Sequence, residues 1–376
     1  MMEKPRISRL PDLSRIEGAD STLEKPIDHT EIYADALRIV SGEAGTDEPP
    51  EPEYYQIKPA HQWLVDSANT PASESLFGEL WFEGELCILF ADTGQGKSVL
   101  AIQIAEALAG GRPFESELKT PSKPKKVLLF DFELSAKQIE PRYSVSSSDP
   151  ESTHYEDHYA FSENFLRSEV DPDAIPPDFA NEEEYMFRRM ASAIVETEAT
   201  VVIVDNITWL NSNNEKAHKA SALMKSLKKI KKKLDISILA LAHTPKRDPT
   251  KPITVNDLAG SKMLINYVDS CFAIGESSRD QGIKYFKQIK VRNASKRYGA
   301  DNVIVCRLHK PHNFLHFEFL SYDQEAEHLK TYTDKDKDEL IADAKEMYKN
   351  GRTQQEIADI LKVSKMTVSR YLKQGV

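Results

Sequence analysis

The chain has few cysteines, no long apolar run and no surplus of positive charge. Its three cysteines, Cys87, Cys271 and Cys306, are spread over 376 residues. They cannot make a disulfide framework, and they match none of the common zinc-ligand spacings. A reducing compartment is their natural setting, so a cytoplasmic location is expected. No segment approaches the ~18 consecutive apolar residues that a membrane span needs, which leaves no membrane partner to expect. The opening MMEKPRISRLPDLSR lacks the apolar centre of a secretory signal. Lys and Arg number 49 against 60 Asp and Glu, a net charge of −11 that argues against an indiscriminate nucleic-acid binder. No internal repeat appears at a period of about 20–50 residues. What is present, 40% hydrophobic residues, suffices for a sizeable core and excludes wholesale disorder. The length suggests two or three domains.

Residues 1–65 read as an arm or linker. GTDEPPEPEYYQIKP (45–59) is rich in Pro and Glu, which suit neither helix nor strand, while a short helix is expected over Glu31–Val40. The arm is either a disordered tail or a docking element for a neighbouring subunit. Residues 66–325 alternate apolar strands with helical stretches. The runs ELCILF (85–90), KVLLFDF (126–132), TVVIVD (200–205) and ISILALAH (236–243) are apolar nearly throughout, the pattern of strands buried on both faces of a mainly parallel sheet in an α/β domain. Segments 270–276, 283–292 and 302–308 are joined by short connectors and predict an antiparallel extension. Residues 143–181 read as a surface excursion. Residues 326–376 read as a charged linker and a small all-α domain.

The strongest motif is ELCILF-ADTGQGKS-VLAIQIAEALAGG, a buried strand, a glycine-rich loop and a helix. From Ala91 to Ser98 it matches the Walker A phosphate-loop pattern, with Ala in place of the first Gly. The loop predicts a nucleotide cradle over Ala91, Asp92, Thr93, Gly94, Gln95, Gly96, Lys97, Ser98 and Val99. Gly94 and Gly96 let backbone N–H groups curl around phosphate oxygens, and the helix start adds a positive dipole end. Lys97 reaches the β- and γ-phosphates, and the Ser98 hydroxyl is a ligand for Mg²⁺. Asp205 ends the apolar strand TVVIVD, where a carboxylate is poised to hold Mg²⁺ through its water shell. ATP and Mg²⁺ are therefore the expected cofactors.

Three further segments resemble the RecA-like hexameric ATPases, especially helicases of the plasmid RepA and replicative DnaB types. In DFELSAKQIEPR (131–142) the resemblance makes Glu133 the carboxylate that polarises the attacking water and sets Arg142 against the adenine. In ISILALAHTPKRDPTKPITVNDLAGSKMLINYVD (236–269) it makes His243 the γ-phosphate sensor and puts Lys246, Arg247 and Lys251 on a loop that follows single-stranded DNA in a central channel. In FKQIKVRN (286–293) it makes Lys290 and Arg292 fingers that reach a neighbouring subunit's nucleotide, although Ala294 stands where the helicase pattern has Gly. No counterpart of the separate N-terminal helical domain of the DnaB type is expected, and only the arm at 1–65 stands in its place. The lysine-rich KAHKASALMKSLKKIKKKLD (216–235) reads as a helix covering the sheet with a solvated basic face, or as an electrostatic attractor for nucleic acid.

GRTQQEIADILKVSKMTVSRYLKQG (351–375) is the second strong signal. Thr353 with Glu356 forms a capping box, a turn falls at 362–364, and a further helix starts near Ser364. Ile357, Ala358, Leu361, Val363, Val368 and Leu372 are the expected core. The segment resembles helix-turn-helix units of the resolvase and sigma-factor type, with 338–349 as the supporting helix. Lys365, Thr367, Ser369, Arg370 and Lys373 are then placed to meet duplex DNA. Together these readings predict a Mg²⁺- and ATP-dependent ring ATPase acting on DNA. It would be a homo-oligomer, a hexamer by resemblance, that separates strands in replication of a plasmid, phage or mobile element. A DNA-bound ATPase switch that does not unwind, and a regulator that acts on a protein partner, are the alternatives.

Overall fold

The computed structural model describes residues 55–114, 118–147, 149, 154–169, 182–207, 217–245, 247–258, 262–331, 334–361 and 363–373. The helix expected over Glu31–Val40 lies outside them. The described chain opens with helix α1 (Ala60–Ala68), which spans the expected 65/66 boundary, and a small hairpin of β1 (Ser75–Phe77) and β2 (Trp81–Phe82).

The central strand β3 (Leu86–Ala91) is buried along its whole length. Its side chains alternate between two cores, as a strand's two-residue period requires. Cys87 and Leu89 face one layer, while Leu86, Ile88 and Phe90 face the other. Helix α2 (Lys97–Gly110) lies on the first layer and is apolar almost all round, as a helix enclosed by protein should be. Gly111, at φ +60°, ends it, with the Gly111 and Arg112 N–H groups returning to the Leu108 and Ala107 carbonyls.

The chain continues through β4 (Val127–Asp131), the short helix α3 (Ala136–Ile139), the hairpin strands β5 (Val145–Ser146) and β6 (Tyr155–Glu156), and β7 (Phe165–Glu169). Helix α4 (Glu182–Thr197), β8 (Val201–Asp205), α5 (Ala217–Leu234), β9 (Ser237–His243), α6 (Lys262–Tyr267) and β10 (Ser270–Glu276) follow. The domain closes with β11 (Ile283–Lys290), β12 (Val303–His309) and β13 (His316–Asp323). Nine of these strands form one sheet in the order β13-β12-β11-β10-β3-β9-β8-β4-β7. The six from β10 to β7 are parallel, and β11 to β13 add an antiparallel edge. Helices α4 and α5 cover the second layer through Phe187, Met190, Ile194, Leu223, Met224, Leu227 and Ile230. On α5, Ala222 is exposed and Met224 is buried.

The expected excursion over 143–181 contains a small hairpin and an edge strand. FLRSE pairs with β4 as β7 although its composition is half polar, because an edge strand is buried only in part. After β13, the turn Glu325–His328 packs back on the core. Buried Glu325 accepts hydrogen bonds from the Ile253 N–H (2.7 Å) and the Tyr285 hydroxyl (3.3 Å), and pairs with the Lys287 ammonium. The Lys330 N–H donates to the Pro249 carbonyl at 3.0 Å, so the chain stays against the core past residue 326.

Helices α7 (Asp334–Lys349), α8 (Gln354–Ile360) and α9 (Lys365–Lys373) make a separate small core of Ala344, Ile357, Ala358, Val368 and Tyr371. Leu361, Val363 and Leu372 pack at its margin, and Tyr371 takes the deeper place. The Thr353–Glu356 capping box is present. No described helix is long and apolar enough to cross a membrane.

Candidate active site

Parallel strands bring their carboxyl ends to one edge of the sheet, and the crevice lies where strand order reverses, here around β3. That edge collects Ala91 of β3, His243 of β9, Asp205 of β8 and Asp131 of β4. Ala91 is in register with His243, and Asp205 with Asp131. Beyond Ala91 the chain turns through Asp92 to Gly96 and enters α2 at Lys97. Gly94 and Gly96 have φ +80° and +89°, a region that L side chains rarely adopt. Gly96 is also sterically closed, since a Cβ there would lie 2.7 Å from Phe317 Cζ. Phe317 is held in turn by Gln103 of α2, whose amide bonds its backbone N–H (2.8 Å) and carbonyl (2.9 Å).

Lys97 is buried, with its ammonium 3.0 Å from the Ala91 carbonyl, 3.2 Å from the Asp92 carbonyl and 3.2 Å from His243 Nδ1. Burial lowers its pKa, against the opposing pull of Asp205, Glu133 and Asp92. Asp205 is 2% exposed. Burial pushes its carboxyl up to about 7, partly offset by the Ser98 hydroxyl and raised further by Glu133 and Asp131. Its Oδ1 is buried without a hydrogen-bond partner. An orphaned carboxylate oxygen beside a serine hydroxyl fits a small hard cation, which takes oxygen ligands. Ser98 and Asp205 are therefore the residues that could hold Mg²⁺.

Glu133 is carried on a turn organised by Asp131. Asp131 Oδ1 accepts from the Glu133 N–H (3.0 Å) and the Leu134 N–H (2.9 Å), and Arg167 Nε holds Oδ2 at 2.9 Å. The Asn206 amide then joins two expected site residues, with Nδ2 2.9 Å from Glu133 Oε2 and 3.0 Å from His243 Nε2. The His243 pKa is lowered by burial and by the Lys97 charge, so the ring is neutral at pH 7. Asp131, Arg167 and Asn206 escaped the motif reading. The one available signal was position, since Asp131 and Asn206 lie at or just past the ends of apolar strands.

Lys97, Ser98, Asp205, Glu133 and His243 thus converge. Ala91 and Val99 are buried supports, Thr93 is exposed, and the buried Gln95 Oε1 has no partner. Arg142 ends the 3-10 turn Glu140–Arg142, where its carbonyl accepts from the Leu315 N–H at 3.0 Å.

Lys290 and Arg292 do not join this group. Lys290 pairs in register with Cys271 at the start of β10, at the amino ends of the parallel strands. Lys290 Nζ donates to the Ile265 carbonyl (2.6 Å), and Arg292, 48% exposed, meets Asp269 at 3.2 Å. Lys231 of the lysine-rich helix α5 joins the same carboxylate at 3.1 Å. Burial and neighbouring Arg292 lower the Lys290 pKa.

The loop after β9 places its two described cations differently. The Arg247 side chain is only 6% exposed and turns inward, with Nε 3.8 Å from Asp92 and Nη1 2.6 Å from the Lys251 carbonyl. The phosphate-loop carboxylate and the underlying Tyr285 hydroxyl draw it in. The Thr244 hydroxyl also donates to Asp92. Lys251 remains outward at 75% exposure, and Lys246 lies outside the described residues. On α9, Lys365, Arg370 and Lys373 are exposed, while Thr367 and Ser369 are half-buried. The Thr367 hydroxyl is engaged by Ser364 at 2.8 Å.

Residues 51–249 match the family model described as an AAA domain. Residues 328–375 match the helix-turn-helix domain of resolvase. No curated protein matches the chain. Among solved structures, a KaiC-like protein from the hyperthermophilic archaeon Pyrococcus horikoshii OT3 aligns over 66% of this chain and 99% of its own, at 11% identity and a TM-score of 0.44.

Proposed function

The chain belongs to the AAA domain family, and from that premise we propose that it is a Mg²⁺- and ATP-dependent ring ATPase that acts on DNA. The reading rests most on the placing of its cations. Lys97 lies at the carboxyl edge of the parallel strands, and Lys290 and Arg292 lie at the opposite edge. The five residues of β3 paired with β10 separate the two edges by roughly 15 Å at about 3.3 Å per residue. Arg292 therefore cannot serve its own chain's phosphates, and a second copy, set edge to edge, brings it to them. Repetition of that head-to-tail contact closes a ring, of which a hexamer is the form we propose.

Within one such interface each group has a task. The Gly94–Gly96 backbone and Lys97 bind the phosphates. Ser98 and Asp205 would hold Mg²⁺, which when bound neutralises phosphate charge. Glu133 orients and takes a proton from the attacking water. His243 meets the terminal phosphate, and the neighbour's Arg292 and Lys290 stabilise charge that develops in transfer. The resolvase-type unit engages duplex through Lys365, Ser369, Arg370 and Lys373. The work we assign to the ring is strand separation in replication of a plasmid, phage or mobile element.

One observation favours a second reading, a DNA-bound ATPase switch that does not unwind. With Arg247 turned inward, Lys251 is the one outward cation among the described residues of 244–251. A strand-displacement assay on forked DNA decides between them. Displacement with ATP, and none with a non-hydrolysable analogue, supports the motor. ATP-dependent assembly on DNA without displacement supports the switch. Absence of ATP hydrolysis refutes both.

A further inference from the structure

Donor and acceptor arithmetic around His243 leads beyond this reading, though it rests on it. We propose that Asn206 is a positioning residue that aims Glu133, and that the tautomer of His243, set by Lys97, decides when it can do so.

The Asn206 amide nitrogen lies 2.9 Å from Glu133 Oε2 and 3.0 Å from His243 Nε2. The other ring nitrogen, Nδ1, lies 3.2 Å from the Lys97 ammonium. A neutral imidazole offers one N–H and one lone pair, and an ammonium only donates. Lys97 and Asn206 therefore present donors to the two nitrogens of one ring, which can accept from only one of them.

While Lys97 donates to Nδ1, the ring hydrogen sits on Nε2 and points at Asn206. The amide then has two choices. It can turn its oxygen to the ring, which sets that oxygen against the Glu133 carboxylate. It can instead keep its nitrogen on Glu133 and face an N–H. Neither choice holds both partners. Lys97 also donates to the Ala91 and Asp92 carbonyls, so its bond to His243 is the one it can give up while remaining anchored. When a phosphate draws Lys97 from the ring, one proton leaves Nε2 and one arrives at Nδ1 by exchange with solvent, with no change in net charge. Nε2 then accepts one Asn206 hydrogen, Glu133 accepts the other, and the carboxylate is fixed. Occupation of the phosphate loop is thereby converted into alignment of the water-activating group.

Selective ¹⁵N-histidine labelling of the full chain tests this, with the His243 signal assigned by its loss in His243→Gln. Without nucleotide the wild type should show the Nε2–H tautomer, and a non-hydrolysable ATP analogue with Mg²⁺ should convert it to Nδ1–H. Lys97→Met should show Nδ1–H with no nucleotide at all. Asn206→Ala should keep nucleotide affinity within about threefold and lose about 10- to 100-fold in kcat, the scale set by misplacing a reacting group by about 1 Å. It should also lose the preference for Nδ1–H when nucleotide binds. If Asn206→Ala does not fold, Asn206→Ser, which retains one donor, takes its place and should still turn over more slowly than the wild type, and an unchanged kcat there overturns the inference equally. An unchanged kcat in Asn206→Ala, or an Nε2–H ring in Lys97→Met, overturns the inference. A wild type that binds no nucleotide overturns the ATPase reading instead, and the Lys97→Met measurement still judges the relay, because it needs no nucleotide.

Discussion

Replacing Asp205 by Asn should make the ATPase domain more stable, by an amount that grows with pH. In the unfolded chain the carboxyl titrates near its ordinary value of 3.8, and in the fold burial raises it to about 7. Between those values the folded form binds more protons than the unfolded form, so stability falls as pH rises and the whole penalty is present above pH 7. At about 1.36 kcal/mol per pH unit the penalty reaches at most about 4 kcal/mol. The neutral Asn side chain carries no such charge and resembles the protonated acid in size. The stability lead of Asp205→Asn should therefore increase by about 2–3 kcal/mol between pH 5 and pH 8. Urea denaturation without nucleotide or Mg²⁺, followed by the fluorescence of Trp81 in the core, measures it. Addition of Mg²⁺ and ATP should reverse the order at pH 8, because the wild-type carboxylate gains a ligand and the amide does not. A lead that is constant with pH, or a variant that is worse at pH 8 than at pH 5, would refute the claim that burial governs this group.

Four other outcomes follow from the site and its supports. Glu133→Gln should bind ATP as the wild type does and turn it over about 10²- to 10⁴-fold more slowly, measured as phosphate release. Arg292→Ala and Lys97→Ala should each be inactive alone, and mixed rings should recover part of the ATPase rate, because some interfaces then carry an intact pair; no recovery from subunits shown to mix would exclude shared sites. Deleting 335–376 should weaken duplex binding and flatten its salt dependence by about one log–log unit per lost phosphate contact, while leaving single-strand-stimulated ATPase in place. Gly96→Ala should lower both nucleotide affinity and thermal stability more than Gly94→Ala, because only the first meets Phe317, and Phe317→Leu should narrow the difference between them.

Elements written in consecutive residues were legible before the structure. The apolar strands, the phosphate loop and the Thr353–Glu356 cap each depend on neighbours within one turn or one strand. Strand β7 was not legible, since FLRSE gains its place by pairing with β4 rather than by apolar pattern. Asn206 was hidden for a related reason. Its partners Glu133 and His243 stand 73 and 37 residues away and come together only because strand order sets β8 between β9 and β4. The burial of Arg247 was hidden too. A cation among prolines reads as solvated, and nothing local reveals that Asp92 and Tyr285 lie beneath it.

The anchoring of Lys330 to Pro249 has a consequence for where DNA can lie. Four residues of chain lead from Lys330 to the start of α7 at Asp334. Fully extended, they reach at most about 14 Å. The resolvase-type unit is thus held on a leash about as long as one strand, and its fixed end is tied to the segment that follows His243. A duplex held by α9 would stay close to the AAA domain and meet it at a high local concentration, without a free search through solution. If the proposed ring forms, the length of that leash would set which stretch of DNA beside the bound site it meets first.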